Sequence, residues 1–234
     1  MSNIEYTSQY GQDKFVIENI YRQMTYGFFI EIGAIDGKML SNTYCLEKNY
    51  NWEGICIEPN PHNYKKLIQN RKCICSDVVV STSNGQCDFF AIDEEENKNQ
   101  GLSCFSSIEE PKDLYVYDND KKERPVIVSK IQKIKCGLYS LLEQLNAPKM
   151  IHYLSIDTEG NEYEILKQYF EDEYINNDIG WRRRIPVISV EHNYDLDKKQ
   201  KLKNLMEYFH YDLALEAYID DIYIHKIYHK LLFK

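Results

Sequence analysis

With 234 residues, 43% of them hydrophobic and 28% charged, the chain has the apolar content to bury a core and the size of one α/β domain. Its formal net charge of −9 argues against a broad basic face for nucleic acid, and no apolar run approaches the length of about 18 residues that a membrane span needs. The seven cysteines include no C-x-x-C pair, and Cys73 and Cys75 are an improbable metal pair on one strand, so reduced thiols and a cytoplasmic setting are expected (a host cytoplasm, were the gene viral).

The opening MSNIEYTSQYGQD reads as neither a signal nor a transit peptide. QDKFVIENIYRQM predicts a helix over 12–24, with Phe15, Ile17, Ile20, Tyr21 and Met24 at near-helical spacing. Residues 28–32 read as a strand, 39–50 as a helix and 54–57 as a buried strand. Pro59 and Pro61 stop that strand and open a helix through NYKKLIQN. Residues 72–80 are β-rich, 83–86 form a turn, and 87–92 are expected to pair back as a hairpin. From 93 to 125 the periodicity is lost and charges cluster, the profile of a lid or acceptor-shaping loop. A strand over 126–134, a helix over 138–145, a strand over 150–156 and a helix over 161–170 follow. The chain then reads as a strand over 186–190, a helix over 198–209 and an antiparallel hairpin from 213–217 and 222–227. Strands separated by helices imply a single domain over 1–234 around a mostly parallel, Rossmann-like sheet with right-handed crossovers.

Ligands of open α/β sheets bind beyond the carboxyl ends of the strands, at the switch point of strand order. The sequence places Glu31, Gly33, Ala34, Asp36 and Gly37 after the first strand, and Glu58, Pro59 and Asn60 after the second. Ser76 and Asp77 follow the third, Asp157 and Glu159 the fourth, and Glu191 and His192 the fifth. The glycines are expected to let the backbone approach a ligand closely. A carboxylate at the position of Glu58 is placed to accept hydrogen bonds from a ribose diol. So many carboxylates would repel a pyrophosphate and welcome a cationic ligand with a ribose and an amino-acid tail. The G-x-x-x-G spacing also differs from the G-x-G-x-x-G of dinucleotide sites. Singly, each residue has an ordinary reading. Glu58, Asp157 and Glu159 could be helix-start acids, His192 a structural imidazole, and Ser76 and Asp77 solvated groups. Their joint occurrence at the ends of one sheet is what points to a site.

QYGQD (9–13), FFIEIGAIDG with LSNT (28–43), W-x-G-I-C-I-E-P-N-P (52–61), LSIDTEGNEYEIL (154–166), ISVEHN (188–193) and DDIYIHK (220–226) together resemble the FkbM-type methyltransferases. The resemblance runs in order across almost the whole chain. It implies a class I methyltransferase sheet ending in an antiparallel hairpin and an S-adenosylmethionine-dependent O-methyltransferase. The acceptor it implies is a small molecule or glycan, with a sugar hydroxyl first and a polyketide-like or other natural-product alcohol as the alternative. Carried over by position, it sets Gly33 to Gly37 against the methionine tail and ribose, with Gln12, Asp13, Glu31, Ser41 and Asn42 on the same cofactor side. Glu58 would hold the ribose hydroxyls, flanked by Pro59 and Asn60, and Ser76 and Asp77 would lie near the adenine. Asp157 and Glu159, with Glu191 and His192, would face the methyl group and the acceptor, Asp157 touching the cofactor as well. Gly137-Leu138-Tyr139 stands where the family usually has T-L-D, so that acid's role is absent.

Either His192, oriented by Glu191 or Asp157, or Asp157 itself would take the acceptor proton. Mg²⁺ between Asp157, Glu159 and Glu191 is the less favoured arrangement, because clustered carboxylates alone do not establish a metal; no metal ligand is assigned. The rival readings are a nicotinamide oxidoreductase on a related fold and a non-catalytic cofactor-binding relic. No nucleic-acid partner and no membrane insertion are expected, and the sequence assigns no oligomeric state.

Overall fold

Apolar runs flanked by amphipathic segments become strands covered by helices on both faces, as buried parallel strands require. The computed structural model describes residues 4–92, 115–117, 123–125, 128–177 and 182–232. It begins with α1, in which Gln12–Lys14 run into a π-helical Phe15–Ile20. Then come β1 (Phe28–Ile32), α2 (Tyr44–Tyr50), β2 (Glu53–Ile57), α3 (Pro61–Asn70) and β3 (Ile74–Ser76). β4 (Val79–Ser81), β5 (Gly85–Ile92), β6 (Tyr115–Tyr117), β7 (Glu123–Pro125) and β8 (Val128–Gly137) follow. The rest is α4 (Leu138–Gln144), β9 (Tyr153–Ile156), α5 (Glu162–Asn176), β10 (Val187–Glu191), α6 (Leu196–Tyr208), β11 (Tyr211–Ala217), β12 (Asp220–His225) and α7 (Lys226–Leu232).

The main sheet has seven strands in the order β11-β12-β10-β9-β1-β2-β3. β1, β2, β3, β9 and β10 are parallel, whereas β12 is antiparallel to both of its neighbours. The chain steps outward from β1 to β2 and β3, then returns to β9 on the other side of β1, so the switch point lies between β1 and β9. Alternation along the strands divides the core. Ile30, Ile32, Leu154, Ile156, Ile188 and Val190 pack against α4, α5 and α6 through Leu141, Leu166 and Met206. Phe29, Cys56, Tyr153 and Val187 face the other way, onto Ile17 and Ile20 of α1, Leu46 of α2 and Leu67 of α3. Among the described residues, a second sheet, β4-β8-β5, and the pair β6-β7 account for the other strands.

Several expectations are corrected. The helix expected over 12–24 ends at Ile20, because Arg22 and Gln23 take positive φ of 48° and 62°. The helix expected over 39–50 starts at Tyr44; Leu40 has φ 56°, and the side chains of Ser41 and Thr43 bond to Glu31 instead of continuing a helix. Residues 72–80 divide between two sheets, and β5 pairs with β8 rather than folding back on them. Of the lid expected over 93–125, the described residues are those of the β6-β7 pair; the remainder lies outside the described residues. The closing hairpin is present as β11 and β12, with a bulge between Leu213 and Leu215, and the short α7 follows unforeseen. Among the described residues no helix is long and apolar enough to cross a membrane.

Candidate active site

Extending each ladder by one residue past its last pair aligns the strand ends. Ile57 pairs with Ser76 and with Ile32, Ile156 with Ile32 and Val190, and Glu191 with Asp220. Asp77, Glu58, Gly33, Asp157, Glu191 and Asp220 therefore stand abreast in one row across the sheet. Residues two apart share a face, so Glu58, Gly33, Asp157 and Glu191 lie on the face that Cys56, Phe29, Tyr153 and Val187 turn toward α1 and α2.

Gly33 has φ +83°, and a Cβ there would lie 2.1 Å from the carbonyl oxygen of Asp157. Gly37 has φ +82°, and its Cβ would meet Leu67 Cδ1 at 2.6 Å and Arg71 Cγ at 2.7 Å. Both glycines thus make room for other parts of the chain. Ala34 is buried, its N–H donating to Ile57 O at 3.1 Å. Glu58 Oε2 accepts the Ile35 N–H at 2.9 Å and Oε1 accepts the Asn60 N–H at 2.8 Å. Burial pushes the Glu58 carboxyl up to about 8, against the lowering by those two N–H groups and Lys133. After Pro59, Asn60 caps α3: its Oδ1 accepts the His62 N–H at 2.9 Å, and its Nδ2 donates to Ile92 O at 2.9 Å.

Other residues expected on the cofactor side have different company. Glu31 accepts from Ser41 Oγ at 2.8 Å, Thr43 Oγ1 at 2.6 Å, the Asn42 N–H at 2.6 Å and Arg71 Nη1 at 3.2 Å. Arg71 Nε also reaches Glu47 at 2.7 Å, so Glu31 and Ser41 belong to a buried internal network. The Asn42 side chain instead donates to Ser155 Oγ at 2.8 Å, beside the row. Asp36 Oδ1 takes the N–H groups of Lys38 and Met39 at 2.8 and 2.7 Å and shapes the loop after Gly33. Ser76 is buried and its carbonyl accepts the Glu58 N–H at 2.9 Å, whereas Asp77 is exposed and pairs with Lys133 at 2.6 Å. Asp13 accepts the Thr7 N–H at 2.8 Å, and Gln12 Nε2 donates to Asp220 Oδ2, joining α1 to the acidic row.

On the other side of Gly33 the carboxyl groups crowd. Asp157 is pushed well above the usual carboxylate range by burial first and by Glu191, Glu159, Glu162 and Asp220 after it. Glu191 rises to about 8 through burial and the same kind of repulsion from Glu159 and Glu162. Glu159, at φ 56°, rises to about 7 through burial and Glu162, and Asp220 to about 6 through burial. Lys198 of α6 is the compensating cation, 2.6 Å from Glu162 Oε2 and 4.0 Å from Glu191 Oε2. His192 is buried at the same end but beside Asp221 rather than the row: its Nε2 is 3.7 Å from Asp221 Oδ1, and burial lowers its pKa despite Asp221.

Glu162, Lys198 and Asp220 are the site neighbours that sequence reading leaves out. Glu162 resembles an ordinary first-turn acid and Lys198 an ordinary surface lysine. The Asp220-Asp221 pair within DDIYIHK was visible in the sequence, and its proximity to Glu191 follows from β12 pairing with β10.

Similar solved structures include the human methyltransferase 10 domain containing protein, at 12% identity and TM-score 0.43, covering 94% of this chain and 83% of that one. A delta-N METTL16 MTase domain matches at 12% identity and TM-score 0.43, covering 91% of this chain and 80% of that one. Precorrin-6y C5,15-methyltransferase from Geobacter metallireducens GS-15 matches at 11% identity and TM-score 0.42, covering 91% and 85%. Likenesses this distant speak to neither substrate nor site. No curated protein matches the chain. The family is established by sequence: residues 31–220 match the Methyltransferase FkbM domain, a span that holds the row from Gly33 to Asp220. The chain belongs to the FkbM family of S-adenosylmethionine-dependent methyltransferases.

Proposed function

We propose that the chain transfers a methyl group from S-adenosylmethionine to a hydroxyl of a sugar, in a glycan or a nucleotide-sugar. The observation that carries this reading is the pair Asp157, half-buried, and Glu191, buried, which stand abreast in one row with Gly33 and Glu58 across the switch point. The residues fit such a cofactor, since buried carboxyl groups outnumber the cations facing them and suit a positively charged ligand. S-adenosylmethionine supplies a methyl group already activated on a sulfonium, which leaves the protein to align the acceptor and exclude water. In this reading Glu58, fixed by Ile35 and Asn60, accepts the ribose hydroxyls. Gly33 and Ala34 form the wall beside the methionine tail. A bound cation favours the ionised form of Asp157, which then takes the proton of the attacking hydroxyl as general base. His192 is the weaker candidate, because its ring faces Asp221 and its pKa is depressed.

The test is transfer of labelled methyl from the cofactor to activated sugars, polysaccharide and polyketide-like alcohols. Label on sugars alone supports the reading, and label on polyketide-like alcohols alone replaces the acceptor class. Asp157→Asn should lower kcat by about 10²–10⁴-fold while S-adenosylhomocysteine affinity is kept, the range general-base catalysis supplies. Unchanged turnover in that variant would remove Asp157 from the chemistry.

A further inference from the structure

Three carboxyl groups gather at the strand ends beside the proposed cofactor contacts. One carboxylate oxygen from each of Asp157, Glu162 and Glu191 lies within 4.8 Å of the other two. These residues come from the end of β9, the start of α5 and the end of β10, so separate elements converge on one point. Clustering by itself names no ligand. A second observation does: Asp157 Oδ1 and Glu191 Oε2 are closed off from water and accept no hydrogen bond, and Glu191 as a whole is 4% exposed. Buried polar atoms are paired in the large majority of cases, so these two oxygens point to a partner that the polypeptide does not supply. Lys198 reaches Glu162 but stops 4.0 Å short of Glu191, and one ammonium cannot neutralise three carboxylates.

We propose that Asp157, Glu162 and Glu191 form a binding site for a hard divalent cation, Mg²⁺ or a close substitute such as Mn²⁺ or Ca²⁺. Such ions take carboxylate oxygens at about 2.0–2.6 Å, so oxygens on opposite sides of one ion stand about 4–5 Å apart. The observed separations need little or no closure. Glu162 offers Oε2 to the ion, because its Oε1 already accepts the N–H groups of Thr158 at 2.7 Å and Gly160 at 3.2 Å. Lys198 takes the cation's place in the metal-free chain, and its flexible stem lets it withdraw. Resting on the hydroxyl-transfer reading above, the ion's part is to hold the acceptor hydroxyl beside the cofactor.

The experiment titrates the full chain with Mn²⁺, follows the bound ion by electron paramagnetic resonance, and competes it with Mg²⁺. One Mn²⁺ per chain, displaced by Mg²⁺, is expected. Asp157→Asn and Glu191→Gln should each weaken it by more than the roughly tenfold that losing even an outer partner of a metal ligand costs. Lys198→Met should tighten binding by removing the internal competitor, a gain that a misfolded variant would not show. No bound Mn²⁺ at about 1 mM, the weak end of protein calcium sites, would overturn the proposal. So would full affinity in both carboxylate variants, or loss of affinity in Lys198→Met. Titrating the same samples with S-adenosylhomocysteine separates the two readings. Its binding without Mn²⁺ removes the metal site alone, and Mn²⁺ binding without it removes the transferase reading.

Discussion

Glu58 is held from two directions, by the N–H of Ile35 on the loop after β1 and by that of Asn60 at the start of α3. Its carboxylate is therefore placed before any ligand arrives. Glu58→Gln keeps one acceptor oxygen and turns the other into a donor, so S-adenosylhomocysteine should bind roughly tenfold more weakly, the scale of one lost hydrogen bond. Calorimetric titration would show it, and unchanged affinity would move the ribose elsewhere. Gly33 is constrained differently. Gly33→Ala must hold a Cβ at φ +83° and 2.1 Å from Asp157 O, so the end of β9 has to shift. A loss of about 1–3 kcal/mol in urea unfolding is expected from the backbone strain alone. Methyl transfer should fall with it, because the displaced atom belongs to the proposed base.

At the scale of elements, Arg71 ties α2, α3 and β1 together through Glu47, Glu31 and the Gly37 carbonyl. Arg71→Met would leave two buried carboxylates without their guanidinium, a change expected to cost about 3–5 kcal/mol and measurable as a lower denaturation midpoint. This network also explains what the sequence did and did not reveal. β1 and β2 were legible because runs such as FFIEI and GICI are buried on both faces and admit few other structures. The loop over 39–43 was not, because a distant carboxylate, Glu31, captures Ser41 and Thr43, which local sequence alone would assign to a helix start. The partner of β5 was missed for a related reason: its ladder lies with β8, beyond the intervening residues, and short-range turn signals favour the nearer strand. Of the site, the acidic strand ends could be read off directly. Glu162 and Lys198 could not, since their importance comes from packing α5 and α6 against the ends of β9 and β10.

For the whole molecule, the buried acids make stability depend on pH. Burial lifts Glu58 and Glu191 to about 8, Glu159 to about 7 and Asp220 to about 6. A carboxyl with a higher pKa in the folded state keeps its proton longer there, so its contribution is greatest below the unfolded values near about 4. That contribution is lost as pH rises through the folded values, toward about 8. The ligand-free chain should therefore melt at a lower temperature at pH about 8.5 than at pH about 6, and Glu191→Gln should flatten the slope. A melting temperature that rises across this window would contradict the burial of these groups. The strand order has one further effect, on synthesis. β12 is wedged between β10 and β11 although it follows both in the chain. Until residues 220–225 leave the ribosome, the outer edge of β10 has no partner, and such open edges invite aggregation. Asp220 is also the last member of the carboxyl row to arrive, so the open edge of β10 and the row are completed in the same step.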